Sequence, residues 1–286
     1  MAEINDLLKI VFETGSSDLH LVVGSLPALR THGRLSFIPN VPVLDAATAG
    51  RLVIATMNPA QKERFLSEKE LDYSYEIPGV ARCRVNAYTQ NGTAAAAFRL
   101  IPALIPSVDS LNLPPICPPF AQLHQGFILV TGPTGQGKSS TLAAILEEIN
   151  VSRSEHIITI EDPVEFVYQN KKSLVSQREL GGDTDSFARA LKSVLREDPN
   201  VVLVCEMRDL ETMKAAMTTA ETGHLVFATL HTNSASQTID RVVDSFPEEQ
   251  QEQIKSQLAT SLEAVFSQRL VPTKDGKRAV AIEVMV

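Results

Sequence analysis

The chain has 286 residues, of which 44% are hydrophobic and 21% charged, a composition typical of a globular protein large enough for two domains. Its net charge of −8, its lack of tryptophan and its 5% aromatic content argue against a nucleic-acid partner, which would need basic and stacking surfaces. No apolar run approaches the roughly 20 residues that cross a bilayer, and the amino terminus lacks the basic region and cleavage site of a secretory signal. We therefore expect a cytoplasmic protein.

Residues 1–102 are predicted to form a small α+β domain. Helical periodicity covers 3–14, 46–57 and 59–66, and strand-like runs cover 19–23, 28–30, 35–38, 71–76, 80–90 and 93–100. Gly79 and the pair Asn91-Gly92 mark turns, and an Asn-Gly pair between two strand-like runs strongly predicts a β-hairpin.

A cluster of prolines separates this part of the chain from the rest. Because proline suits neither a helix interior nor a strand ladder, we expect a semi-rigid linker over 103–122. The prolines concerned are Pro102, Pro106, Pro114, Pro115, Pro118 and Pro119.

From 123 to 286 the pattern changes to strands that alternate with helices. Apolar runs predict buried strands at 127–131, 157–160, 201–205 and 225–230, with helices at 139–150, 186–196 and 210–222. Apolar strands joined by helices are typical of a parallel sheet covered on both faces, so we expect an open α/β fold. A long amphipathic helix is predicted over 248–270, and its apolar stripe is formed by Ile254, Leu258, Leu262 and Val265.

The segment GPTGQGKS at 132–139 matches the pattern of a phosphate-binding loop, and it lies between a predicted strand and a predicted helix. The glycines let backbone N–H groups turn toward phosphate oxygens, Lys138 supplies a positive charge to the β- and γ-phosphates, and the Ser139 hydroxyl is a ligand for Mg²⁺. We therefore predict that the chain binds ATP or GTP with Mg²⁺. The predicted nucleotide-binding residues are Gly132, Pro133, Thr134, Gly135, Gln136, Gly137, Lys138, Ser139 and Ser140.

Polar residues follow three of the predicted strands. Glu161 follows the strand at 157–160, Glu206 follows the strand at 201–205, and His231 follows the strand at 225–230. In open α/β sheets, ligands bind at the carboxyl ends of the strands, so these side chains are candidates for hydrolysis chemistry. An apolar strand that ends in an acid, as at Glu206, is expected of a Walker B element. His231 and the nearby His224 fit a structural role as well as they fit a sensor of nucleotide.

Four segments, in this order, resemble the Walker A, Asp box, Walker B and His box motifs of the secretion-superfamily ATPases. They are GPTGQGKSS, TIEDPVEF, LREDPNVVLVCEMRDLET and AETGHLVFATLHTNSA. Within that superfamily, SDLHL at 17–21, GVARCRVNAY at 79–88 and FRLIP at 98–102 are similar to the PilT-type pilus retraction ATPases. The resemblance implies an α/β fold with a RecA-like P-loop NTPase domain, a parallel-rich sheet and a smaller PAS-like domain before it.

The resemblance also implies roles for single residues. Glu161 would act as the general base or position the attacking water, and Glu206 would hold the water shell of Mg²⁺. His224 and His231 would couple the state of the γ-phosphate to neighbouring structure.

For the assembly, the resemblance implies a homohexameric ring. Arg84 and Arg99 of one subunit would reach the nucleotide of the next as arginine fingers. Such a ring works at the cytoplasmic face of the inner membrane, where it acts on a pilus platform protein and drives pilus retraction and twitching motility.

The chain departs from the family pattern at three places. Cys205 stands where a glycine usually precedes the Walker B acid, which puts turnover more in doubt than binding. The loop Gln90-Asn91-Gly92 lacks an arginine that the family commonly has. The chain also ends at RAVAIEVMV, where the family continues, so a truncated ATPase domain is expected.

Four alternatives stay open. A type II secretion or pilus extension relative would carry a four-cysteine zinc subdomain and a longer amino-terminal region. An accessory retraction paralogue is poorly separated by sequence, whereas the acidic charge speaks against a DNA-directed RecA-like motor. The fourth is a ring scaffold that binds nucleotide with weak hydrolysis.

Overall fold

The protein is described here from a computed structural model over residues 3–31, 33–77, 80–101, 104–274 and 278–286. Gly79 and Pro102, used above for a turn and for the start of the linker, lie outside these ranges. Contacts within the chain define two compact units, Met1–Ala103 and Leu104–Val286. Throughout the described ranges, every helix is too short or too polar to span a bilayer.

The first unit is an antiparallel sheet with helices on one face. Its six strands lie in the order β3-β2-β1-β6-β5-β4, and the turn at Asn91-Gly92 joins β5 to β6 with a positive φ at both residues, as the sequence predicts. The elements are α1 Ile4–Glu13, β1 Asp18–Leu21, β2 Ala28–Thr31, β3 Arg34–Phe37, α2 Ala46–Ile54, α3 Pro59–Glu68, β4 Glu70–Ile77, β5 Ala81–Gln90 and β6 Thr93–Ile101.

Alternation along these strands separates a core face from a polar face. Leu19, Val85 and Phe98 are buried with residues of all three helices in one core. Since successive side chains of a strand point to opposite faces, their neighbours Arg84 and Arg99 lie on the face away from this core. The pattern is that of an antiparallel sheet packed on one side.

The second unit contains a seven-stranded sheet in the order β13-β12-β7-β11-β10-β8-β9. All neighbouring strands pair in parallel except β12 and β13, which form an antiparallel edge. The elements are a short 3₁₀ helix Pro118–Gln122, β7 Gly126–Thr131, α4 Lys138–Ser152, β8 His156–Glu161, β9 Leu174–Glu179, α5 Phe187–Val194, β10 Val201–Cys205, α6 Leu210–Glu221, β11 Leu225–Leu230, α7 Ala235–Asp244, α8 Glu248–Ser261, β12 Leu262–Pro272 and β13 Arg278–Met285.

Both faces of this sheet are covered. Along β7, Phe127 and Leu129 belong to one core, whereas Ile128 and Val130 belong to the core on the opposite face. All four side chains are fully buried, which explains why the strand is apolar without alternation. The parallel arrangement brings the carboxyl ends of β7, β8, β10 and β11 to the same edge of the sheet.

The predicted long helix over 248–270 is wrong in its second half. The helix α8 ends at Ser261, and Leu262 and Val265 lie in β12 instead. Residues 264–268 are buried without a break, and 264–267 pair in parallel with β7. The open edge of β7 supplies a ladder of hydrogen bonds and two-sided burial, so tertiary context overrides the helical spacing.

The proline-rich stretch packs onto the second unit. Leu113, Cys117, Phe120 and Ala121 are buried in one of its two cores. The Phe120 ring meets Phe266 of β12 edge to face, with ring centroids 5.1 Å apart. The carboxyl-terminal part of the segment predicted as a linker therefore contributes to the core of this unit.

Candidate nucleotide-binding site

The segment between β7 and α4 has the backbone of a phosphate-binding loop. Gly132, Gly135 and Gly137 have φ values of +137°, +78° and +82°, in a region that residues with a side chain rarely adopt. A Cβ atom at Gly132 would lie 2.3 Å from the carbonyl oxygen of Gln268, so this position has no room for a side chain.

The loop leads directly into the amino terminus of α4. Gly137 is the N-cap and offers no side chain to the free N–H groups of the first turn, where Ser139 and Ser140 lie. Free N–H groups and the helix dipole together favour an anion at this point. The arrangement can therefore hold phosphate through the backbone.

The side chain of Lys138 is folded over the loop. Its Nζ atom donates hydrogen bonds to the carbonyl oxygens of Gly132 at 2.7 Å and Pro133 at 3.1 Å. Burial lowers the pKa of Lys138, since the charged form loses hydration. A bound phosphate would add negative charge beside this buried cation.

A line of polar contacts runs along the carboxyl edge of the sheet. Glu206 contacts both Arg208 and the Nε2 atom of His231, and the Nδ1 atom of His231 lies 3.5 Å from Nζ of Lys138. Arg208 Nη1 also lies 3.5 Å from Oδ2 of Asp162. If His231 carries its proton on Nε2, it can donate to Glu206 and accept from Lys138 at once. The line thus connects the phosphate-binding loop to the Walker B acid.

Glu206 is ionised in this arrangement. Partial burial acts to raise its pKa, but the hydrogen bonds and charges of Arg208 and His231 outweigh burial and lower the pKa below its ordinary value. A carboxylate whose pKa is lowered suits the binding of hydrated Mg²⁺.

Glu161 lies at the end of β8 in a very different environment. It is 6% exposed, and it accepts hydrogen bonds from Thr159 Oγ1 at 2.6 Å and from Gln177 Nε2 at 3.2 Å. Burial raises the pKa of Glu161 to about 7, against the smaller effect of these hydrogen bonds. A carboxyl group with a pKa near neutrality can accept a proton from water and release it again.

Cys205 precedes Glu206 through a cis peptide bond. Its thiol accepts a hydrogen bond from Thr229 Oγ1 on β11 at 3.5 Å, and burial raises the pKa of Cys205 to about 12. The side chain is therefore a neutral thiol held by the neighbouring strand.

His224 does not join the other predicted residues within this unit. It precedes β11 whereas His231 follows it, which separates the two by roughly 23 Å at 3.3 Å per residue. The Nδ1 atom of His224 lies 3.0 Å from the carbonyl oxygen of Thr219 at the end of α6.

The two predicted arginine fingers belong to the first unit. Arg84 on β5 and Arg99 on β6 are directly opposite each other in the antiparallel pair. Arg99 Nε donates to Asp18 Oδ1 at 2.9 Å, yet 71% of the Arg99 side chain stays exposed. The sheet thus presents two neighbouring guanidinium groups on one face.

Sequence reasoning missed several residues of the site. Arg208 lies only two residues after Glu206, so a search for cations near the acid could have found it. Gln177 lies on β9, a strand that was not predicted. Gln268 packs against the loop from the segment that was predicted as a helix.

Comparison with known proteins places this site in a family. Residues 118–283 match the family described as type II/IV secretion system protein. The chain is 48% identical over 284 residues to the type IV pilus retraction ATPase PilT of Pseudomonas aeruginosa, covering 99% of this chain and 82% of the relative. It is 51% identical over 255 residues to a twitching motility protein of Neisseria gonorrhoeae, covering 89% of this chain and 68% of that protein.

A solved structure agrees with these relatives. The crystal structure of the pilus retraction motor PilT with bound ADP superposes with a TM-score of 0.96 at 46% identity, covering all of this chain and 83% of that one. The expected fold class, a P-loop ATPase unit with a smaller α+β unit before it, is confirmed, and the chain is an ATPase. The chain belongs to the type II/IV secretion system protein family and, within it, to the PilT-type pilus retraction ATPases.

Proposed function

We propose that this chain is one subunit of a homohexameric, Mg²⁺-dependent ATPase ring that drives retraction of a type IV pilus. The observation that carries this proposal is the contact of His231 with both Lys138 and Glu206. One side chain, His231, contacts both the phosphate-binding lysine and the Walker B acid. Loss of the γ-phosphate beside Lys138 would therefore change the surroundings of His231 after β11 and of Glu206 after β10 together. A motor needs such a link between chemistry and structure.

The loop Gly132, Pro133, Thr134, Gly135, Gln136, Gly137, Lys138, Ser139 and Ser140 binds the phosphates of ATP in this proposal. The positive φ values of its glycines and the uncapped amino terminus of α4 support this role. Release of Lys138 from the two loop carbonyls would let its ammonium group turn to the β- and γ-phosphates.

The donors present fit Mg²⁺. Ser139 offers a hydroxyl oxygen and Glu206 an ionised carboxylate, and Mg²⁺ prefers oxygen ligands from one or two side chains, phosphates and water. We assign Ser139 as a direct ligand and Glu206 as a ligand through water. When bound, the ion neutralises charge on the phosphates.

Hydrolysis requires a group that orients the attacking water and accepts its proton. Glu161 is proposed for this role because its pKa of about 7 matches a proton acceptor that works near neutral pH. Thr159 and Gln177 hold its carboxyl group in one orientation. His231 would report the state of the γ-phosphate, and His224, at the far end of β11, would act only toward a neighbouring subunit.

Arg84 and Arg99 are proposed to complete the site of the next subunit. Their adjacent positions on β5 and β6 supply two positive charges on one surface, as a triphosphate requires. A site shared between subunits predicts that activity per subunit rises with protein concentration as rings assemble.

The ring would work at the cytoplasmic face of the inner membrane, held there by a pilus platform protein. The net charge of −8 supports a protein partner over nucleic acid.

An ATPase assay across protein concentrations and a complementation experiment together test this function. We expect ATP turnover that rises with concentration, and restored twitching in a strain that lacks its retraction ATPase. Lys138→Ala should fail in both. Turnover without restored twitching would favour an accessory paralogue, and nucleotide binding without turnover would favour a ring scaffold.

A further inference from the structure

Part of β12 lies beside the phosphate-binding loop on the edge that faces β7, while its other edge stays paired with β13. The parallel pairing of β12 with β7 ends at Ser267 and Thr131, the last residue before Gly132. There β7 stops, whereas β12 continues to Pro272. Residues 268–270 therefore lie beside the loop.

The side chain of Gln268 connects two parts of the nucleotide-binding segment. Its Nε2 atom donates to the carbonyl oxygen of Gln136 at 2.7 Å, and its Oε1 atom accepts from Thr141 Oγ1 at 2.8 Å. Gln268 and Thr141 are both 0% exposed. Both ends of a fully buried amide are thus used, one on the loop and one on the first turn of α4.

The main chain of β12 adds two further contacts. The Leu270 N–H donates to Gln136 Oε1 at 2.7 Å. The carbonyl oxygen of Gln268 also lies close to Gly132: a Cβ atom added at Gly132 would be only 2.3 Å from it. The strand therefore touches the loop at its first residue and again at Gln136, just before Gly137.

The bond to the Gln136 carbonyl has a consequence for the loop. In a trans peptide the C=O and the following N–H point in opposite directions. Because Gln268 holds the Gln136 carbonyl toward β12, the N–H of Gly137 points away from β12. Backbone N–H groups of this kind are what a phosphate-binding loop offers to phosphate oxygens.

We propose that Gln268 is a positioning residue of this ATPase, which holds the loop 132–139 in its nucleotide-binding conformation without touching the nucleotide. The geometry of the loop determines how well the phosphates bind, whereas Glu161 and Glu206 carry the chemical step on other strands. Loss of the Gln268 amide should therefore weaken binding of nucleotide and leave the rate at saturation nearly unchanged.

The test uses Gln268→Met in the full chain, since methionine keeps the volume and removes both hydrogen bonds. We expect the Kd for ADP, measured by titration calorimetry, to rise about ten-fold, the effect of two ordinary hydrogen bonds. The kcat at saturating ATP should stay within about two-fold, so that KM carries the change. Gln268→Glu should bind ADP at least as weakly as Gln268→Met. It keeps the acceptor for Thr141 but places an oxygen against the carbonyl oxygen of Gln136.

Phe266→Leu is the matched control, because Phe266 is equally buried on β12 and packs in a core that includes no residue of the loop 132–139. It should lower the thermal midpoint and leave the Kd for ADP unchanged. An unchanged Kd in folded Gln268→Met, or an equal rise in Phe266→Leu, would overturn the proposal. If Gln268→Met does not fold, Thr141→Val removes the bond to Gln268 Oε1 from the side of α4, and the proposal then requires the Kd for ADP to rise by about three-fold.

Discussion

The two sheets of this protein carry their functional side chains in different places. In the antiparallel sheet of the first unit, Arg84 and Arg99 project from the middle of β5 and β6, opposite the face that packs on the helices. In the parallel sheet of the second unit, the strands are buried on both faces, and the polar groups Glu161 and Glu206 lie at the strand ends.

The difference follows from how each sheet is covered. A sheet covered on one side can offer any alternate residue to a ligand, whereas a sheet covered on both sides can offer only its edges. The first arrangement suits a pair of charges, such as Arg84 and Arg99, that acts on a site in another subunit. The second suits a site that several strand ends build together, because each strand contributes one group.

The largest effect should come from the first unit, although it contains no part of the phosphate-binding loop. Arg84→Ala and Arg99→Ala should each lower kcat by about 10³-fold or more, the range of arginine fingers. The thermal midpoint should change little, because Arg99 is largely exposed. Steady-state ATPase assays at a concentration where the ring is assembled measure the first effect, and calorimetry measures the second.

Arg64→Ala is the control for these two variants. Arg64 lies on α3 of the same unit and pairs with Glu68 at the surface. If Arg64→Ala lowers kcat as much as Arg84→Ala, the effect comes from general charge and the shared-site mechanism is wrong.

Glu161→Gln tests the strand ends of the second unit. Loss of the proton acceptor should lower kcat by about 10²–10⁴-fold while ADP binding is kept. In the wild type, the pKa of about 7 predicts that kcat rises with pH up to neutrality, since only the ionised form of Glu161 accepts a proton. A pH–rate profile that keeps this rise in the Gln variant would assign it to another group.

The same residue should make stability depend on pH. Folding raises the pKa of Glu161 from 4.5 to about 7, so the folded state binds the proton more tightly, and wild-type stability falls as pH rises through this window. Relative to the Gln variant, the wild type should lose up to about 3 kcal/mol between pH 4.5 and pH 7. Urea unfolding of both proteins across this range would measure the difference. If the free energies of unfolding of the two proteins change with pH in parallel, the raised pKa of Glu161 is contradicted.

Much of the second unit could be predicted because its chemistry lies at strand ends. The motif at 132–139, the apolar strands and the acids that follow them are local patterns, and the structure joins them as the parallel topology requires. The strand β12 could not be predicted, because the helical spacing of Leu262 and Val265 gave no sign of the ladder that β7 offers. Gln268 was hidden for the same reason.

The functional residues of the first unit were harder to find. Arg84 and Arg99 alternate with buried residues, as any polar residue of a half-covered strand does, so only the family resemblance marked them. Their adjacency depends on the register of β5 with β6, which the Asn91-Gly92 turn sets. The ion pair of Arg99 with Asp18 joins residues 81 positions apart in the chain, and no local pattern predicts it.

Two glycine variants compare the parts of the loop that do and do not meet β12. Gly132→Ala would place a Cβ atom 2.3 Å from the Gln268 carbonyl oxygen, whereas Gly135→Ala meets nothing within 4 Å. Alanine at either position is strained by the positive φ, and only Gly132→Ala adds the clash with Gln268. Gly132→Ala should therefore destabilise the protein by about 1–3 kcal/mol more than Gly135→Ala. Thermal unfolding of the two variants measures the difference, and equal losses would show that β12 does not confine the loop.

The smallest effect should come from Asp18→Asn, which changes the polar face of the first sheet without removing an arginine. Burial acts to raise the pKa of Asp18, but hydrogen bonds from Ser17 and Arg99 outweigh it and lower the pKa below 3.8. The ionised form of Asp18 therefore stabilises the folded state, and this stabilisation is lost as pH falls through the lowered pKa. The pair is exposed on the arginine side, so it contributes less than about 1 kcal/mol. Thermal midpoints of the two proteins should differ at pH 7 and converge below pH 3.8. At pH 7, kcat should change by no more than about three-fold, because Arg99 keeps its place on β6. A loss of kcat as large as that of Arg99→Ala would mean that Asp18, and not the strand, holds the arginine in position.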